Sequence, residues 1–132
     1  KERKAFTLSI ADIPHLEAAD FFGIASGNKM EDKFERSGLT AEKSQKVDAP
    51  IVTEFPITLE CKAVEIKNES YGFHILGEIV GVLAEESVLD EKGKVAPEKL
   101  NAFLYDSFQS GYYAIGEKVG QAFSSGSKLM KK

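Results

Sequence analysis

Alternation between apolar and polar positions is the first order visible in this chain. Phe6, Leu8 and Ile10 alternate with Thr7 and Ser9, the period of a half-buried strand. Asp12 can cap a helix that tolerates Pro14 in its first turn. That helix is expected to run to about Ser26, with Ile13, Leu16, Phe21 and Ile24 broadly on one side. Gly27 then supplies a left-handed C-terminal residue. A short helical turn over Asp32–Arg36 stops at Gly38, and the polar, aperiodic stretch from Leu39 to Ala49 reads as a loop long enough to cover a site or a partner subunit. Ile51 and Val52 open an extended segment.

Pro56 starts a strand over Ile57–Ile66 whose apolar face is Ile57, Leu59, Cys61 and Ala63, but the pattern continues as Val64 and Ile66. A phase slip of one residue predicts a β-bulge or strong bend, the device by which a sheet closes into a barrel. Phe73–Ala84 is apolar on both faces, which predicts a central strand. Gly77 and Gly81 fall on one face there, where something bulky is expected to approach the backbone. Asp90–Lys94 is a polar turn, Pro97 opens a short helix to about Asn101, and Leu104-Tyr105 and Tyr112–Ile115 look extended. A last helix is expected over Glu117–Phe123. The class is β-rich α+β, with a small barrel preferred over a sandwich because of the bulge.

At 132 residues the chain is the size of one domain. A net charge of −4 and a pI near 5.3 argue against a nucleic-acid partner, which calls for a basic stripe. The basic residues at Lys1, Arg3 and Lys4 and at Lys128, Lys131 and Lys132 read as solvated ends. No apolar run approaches the roughly 18 residues that cross a bilayer, and no signal peptide is visible, so membrane association is not expected and the chain reads as cytoplasmic. Cys61 is the single cysteine; on the apolar face of its strand it reads as a small buried hydrophobe rather than a nucleophile.

Candidate chemistry is sparse. His15 and His74 are the only histidines, and neither suggests a zinc site by its spacing to Cys or Asp. There is no Gly-x-Ser-x-Gly elbow, no Walker loop and no Gly-x-Gly-x-x-Gly element. Ser26-Gly27-Asn28-Lys29 places a lysine and free amides beyond a helix, which suits a phosphate but equally suits a lysine complementing the helix dipole. His74 reads either as a satisfied core residue or as a donor to a ligand in the barrel mouth. Tyr112 and Tyr113 could pack in the core or lay a ring beside an aromatic cofactor.

Taken in order, Phe6–Ile10, Ala19–Lys29, Asp32–Thr40, Val47–Lys62, His74–Val80 and Gly111–Gly120 together resemble the flavoredoxin branch of the flavin reductase-like proteins. The likeness runs from Lys1 to about Phe123. It implies an FMN-binding split β-barrel with peripheral helices, here without the N-terminal strands with which such proteins begin. A chain that opens on Lys1 and enters a strand almost at once reads as the middle of such a domain. The resemblance further implies a homodimer with FMN near the subunit interface, Lys29 at the phosphate, Ser26 beside it, and His74 and Tyr112 near the flavin. The implied activity is that of an FMN-dependent oxidoreductase fed by NADH, NADPH or a protein electron donor. A carrier that does not oxidise nicotinamide directly, or a non-catalytic dimeric barrel, would share these residues.

Overall fold

A computed structural model describes residues 3–131. Strand β1 (Ala5–Ile10) pairs antiparallel with β4 (Ile57–Glu69), which pairs antiparallel with β5 (Gly72–Ala84). Between β1 and β4 lie helices α1 (Leu16–Ile24) and α2 (Lys33–Arg36) and the small ladder β2 (Ala41–Lys43) with β3 (Pro50–Val52). After β5 come α3 (Pro97–Leu100) and the hairpin β6 (Phe103–Asp106) and β7 (Gly111–Ala114).

The expected phase slip is present. The β4–β5 register shifts between Ala63 and Glu65, leaving Val64 as the extra residue, and a second shift lies between Glu60 and Cys61. There the extra residue is Val80 on β5, so the two bulges cancel and the outer half of the hairpin returns to the original register. The second bulge also separates the two strand glycines, which the alternation had placed together. A Cβ at Gly77 would lie 2.5 Å from the Phe6 ring, whereas one at Gly81 would meet the Glu60 carboxylate and, at 2.7 Å, the Lys46 stem. Something bulky does approach at each, but on opposite faces of the sheet.

Three other expectations change. β4, not β5, is the middle strand of this sheet, and Phe73, Ile75, Leu76, Ile79 and Val82 of β5 are exposed. A run apolar on both faces therefore did not mean a strand covered on both faces by this part of the chain. The first helix is divided: Ile13–His15 form a 3-10 turn before α1, because Asp12 makes no side-chain cap and instead places Oδ1 at 2.5 Å from His15 Nδ1. Helix α1 stops at Ile24 with Ala25 extended, and Gly27 is not left-handed; Gly38, at φ 71°, does terminate α2 as expected. The helix expected over Glu117–Phe123 is absent, and a short 3-10 turn appears only at Ser127–Met130. Gly120 costs about 1 kcal/mol inside such a helix, and a segment this short needs tertiary packing to hold it.

The polar segment from Leu39 to Ala49 is structured. It contains β2, and with β3 it lies over the sheet face carrying Thr7, Ser9, Thr58 and Glu60. The Thr7 hydroxyl donates to the Pro50 carbonyl at 2.5 Å, Ser9 and Thr58 share a 3.0 Å hydroxyl contact, and the Ser44 hydroxyl donates to Glu60 Oε1 at 2.6 Å. Val47, Ala49 and Phe55 supply buried apolar packing on the covering side, and Cys61 is buried as expected. The segment thus covers its own sheet.

Candidate functional site

The site is built around the turn that follows α1. The Ser26 carbonyl accepts the amide N–H groups of Lys29 and Met30, both at 3.0 Å. This closes the turn and leaves the Gly27 and Asn28 amides without a protein acceptor among the described residues. Lys29 is exposed and has no carboxylate in ion-pair range among the described residues. Lys33 is occupied differently. Its Nζ donates to the Phe22 carbonyl at 2.7 Å and lies 5.6 Å from the centre of the Phe22 ring, which stacks on Phe34 at 6.0 Å and 8°. That contact binds α2 to the last turns of α1 and fixes both ends of the 26–29 turn. Two free amides and an unpaired ammonium on a clamped turn form a donor set that fits a phosphate.

Tyr112 reaches the same helix from the far end of the sequence. Its hydroxyl donates to Asp20 Oδ1 at 2.6 Å, and its ring packs edge-on to Phe103 at 5.3 Å and against Tyr105 at 5.7 Å. The Asp20 hydrogen bond, with smaller contributions from burial and from the Asp20 charge, raises the phenol above its ordinary value near 10. Because the hydroxyl is committed to Asp20, Tyr112 has only ring surface to offer a cofactor.

The four residues expected to form one site are thus partly assembled. Ser26 and Lys29 share a turn, and Tyr112 is fastened to α1 through Asp20. His74 stands apart, exposed on the outer half of β5 opposite Lys67, with no contact joining it to the turn. None of the three main clefts is lined by these four residues.

Three contributors escaped the sequence reading. Asp20 finds its partner 92 residues away, and no local pattern signals so distant a pair. Lys33 acts through a backbone carbonyl. Asp12, three residues before His15, was legible as a helix cap but serves as a histidine partner; the imidazole also packs edge-on to Phe55 at 6.1 Å. The described residues contain no group of three side chains able to hold a metal ion. No helix among them is long and apolar enough to cross a membrane.

Comparison with known proteins gives these positions a context. Residues 1–112 match the flavin reductase like domain. The chain superposes on the flavoredoxin of Desulfovibrio vulgaris (Miyazaki F) with a TM-score of 0.85 and 38% identity, covering 95% of this chain and 66% of that one. For the flavoredoxin of Methanosarcina acetivorans the TM-score is 0.89 and the identity 25%, over 98% and 67% of the two chains. A Shewanella frigidimarina protein described as having a split barrel domain aligns with a TM-score of 0.70 and 26% identity, over 87% and 58%. An uncharacterized protein of Aquifex aeolicus (strain VF5) is 37% identical over 68 residues, 51% of this chain and 34% of its own length. The chain therefore spans about a third of that curated relative and about two thirds of the flavoredoxins. With its bulged sheet, its peripheral helices and this match over most of its length, the chain belongs to the flavin reductase-like family of split-barrel domains, in the flavoredoxin branch.

Proposed function

We propose that this chain is part of an FMN-dependent flavin reductase-like oxidoreductase, and that the turn from Ser26 to Lys29 receives the FMN phosphate. The observation that carries the reading is the donor set of that turn: among the described residues the Gly27 and Asn28 amides find no protein acceptor and the Lys29 ammonium no carboxylate. Structures described as an FMN-binding domain of a flavin reductases-like enzyme from Shewanella baltica and as an FMN-binding protein from Thermus thermophilus share the fold. FMN, when bound, supplies the redox chemistry, which is why the described residues need no nucleophile or metal.

The chain's own residues then bind and orient. Lys29 neutralises phosphate charge in an exposed turn, and Ser26 shapes that turn through its carbonyl. Lys33 holds the turn's flanks together through Phe22. Tyr112 presents a ring whose orientation is fixed by Asp20, and His74 offers an exposed imidazole on β5. Electrons come from NADH, NADPH or a protein donor, and the molecule works as a cytoplasmic homodimer, with no nucleic-acid or membrane partner. The test is the visible absorption spectrum of the purified protein supplied with FMN, repeated anaerobically with NADH and NADPH. Flavin bands that bleach establish the reductase, and bands that persist establish a carrier fed by another donor. Absence of bound flavin overturns the reading.

A further inference from the structure

We infer that Lys46 and Glu60 form a latch: the Lys46 ammonium swings onto Oε2 of Glu60 and locks the strap from Ser44 to Pro50 over the sheet. The latch is independent of the FMN reading. Glu60 is 2% exposed, and its Oε2 is enclosed without a hydrogen-bond partner among the described residues. Atoms of those same residues do the enclosing, so a donor to Oε2 comes from among them or from a trapped water. A buried carboxylate oxygen left without a donor is costly. Ser44 meets half of the need, at Oε1.

Gly81 shows where the other half comes from. A Cβ there would fall on Glu60 Oε2 and lie 2.7 Å from Lys46 Cδ and 3.1 Å from Lys46 Nζ. Carboxylate and ammonium thus border one point above Gly81, although they make no ion pair in the present rotamer. Opposite charges roughly 5 Å apart attract far more strongly where water is excluded than in bulk. A change of rotamer at the end of the lysine side chain closes that distance. The absence of a side chain at Gly81 is the slot in which the lysine stem lies.

The strap's other charges are committed elsewhere. Asp48 lies 3.7 Å from both Arg3 and Lys43, whereas Lys46 has no carboxylate in ion-pair range among the described residues. The Lys46 backbone is already held in place, because its amide and that of Val47 both donate to the Ser44 oxygen at 3.1 Å. The hydroxyl that serves Oε1 therefore also carries the ammonium toward Oε2. Lys46 as a whole is exposed, so its stem can lie on the sheet without taking the whole side chain out of water. With the latch closed, the strap lifts from Thr7, Ser9 and Thr58 only by breaking the Ser44 bond and the ion pair together.

The experiment is native-state amide hydrogen exchange on the wild-type protein, Lys46→Met, Glu60→Gln and the double variant. In Lys46→Met the amides of residues 46 and 47 are expected to exchange about five-fold faster, the most that a partly exposed pair supplies, while β4 and β5 amides are unchanged. In the Glu60→Gln background the same substitution is expected to add nothing. Equal acceleration in both backgrounds overturns the latch, and so does no acceleration in either, which leaves a trapped water as the partner of Oε2. A second measurement needs no variant to fold. The nitrogen resonance of the Lys46 ammonium is expected to persist in the wild type and to survive high salt, because a sealed pair is screened little. An ammonium signal lost to rapid exchange with water in the wild type overturns the latch by itself.

Discussion

Replacing Ser44 with alanine tests whether the polar face of the sheet is held by a single hydroxyl. Glu60 is only 2% exposed; its Oε1 accepts the Ser44 hydroxyl at 2.6 Å and its Oε2 has no hydrogen-bond partner among the described residues. The same Ser44 oxygen accepts the amides of Lys46 and Val47, both at 3.1 Å. Three hydrogen bonds therefore pass through one atom. The bond to the carboxylate is charge-assisted, worth about 1.5–3 kcal/mol, and each amide left without its acceptor costs about 1 kcal/mol. Ser44→Ala is expected to lose roughly 3–5 kcal/mol, the sum of the three hydrogen bonds that pass through its oxygen. That is a large part of the ~5–15 kcal/mol that holds a domain together.

The control is Glu60→Gln, which keeps the shape and an acceptor for Ser44 but removes the buried charge, at an expected cost below about 1.5 kcal/mol. Urea unfolding followed by circular dichroism gives both values, provided the slope with denaturant is unchanged between variants. The diagnostic is the order: the distant hydroxyl must matter more than the charge it serves. A Ser44→Ala loss under about 1 kcal/mol would refute the reasoning and mean that the carboxylate is satisfied by another group.

The remaining predictions concern the two glycines, the tyrosine and the lysine. Gly81→Ala should cost about 1–3 kcal/mol, because the flexible Lys46 stem can move aside but the buried Glu60 carboxylate cannot; Gly77→Ala should be comparable, since the Phe6 ring is in its way. Thermal unfolding at matched protein concentration reads both. Tyr112, raised by its bond to Asp20, holds its proton more tightly folded than unfolded. Its contribution is therefore complete below pH ~10 and is lost as pH rises through the raised value. Absorbance titration of phenolate should show one late step that disappears in Tyr112→Phe. Lys29→Ala should weaken FMN binding by about ten-fold, read by fluorescence quenching of the free flavin, and unchanged affinity would move the phosphate elsewhere.

How much of this was legible follows from where each signal lives. The bulge at Val64 could be read because an apolar alternation cannot change phase without an extra residue. The compensating bulge at Val80 could not, because β5 is apolar on both faces and hides a slip; hence Gly77 and Gly81 were placed together when they face opposite ways. The alternation in β4 located the strand, but not which side would be sealed. Thr58 and Glu60 are the most buried large side chains, while Leu8 and Val82 on the apolar side stay exposed. Burial there was decided by which segment lay over the face, and that segment looked like an unstructured loop because its contacts to the sheet are polar and made at long range. The candidate site divides the same way. The turn at Ser26–Lys29 is local and was visible, whereas the Asp20–Tyr112 bond that anchors the β6–β7 hairpin depends on tertiary placement alone. Ser44, Glu60 and Asp20 share one property: each is a polar side chain whose role is set by a partner distant in sequence. In this fold, strand periodicity specifies the sheet, and polar pairs closed at long range determine what covers it and what is fastened to α1.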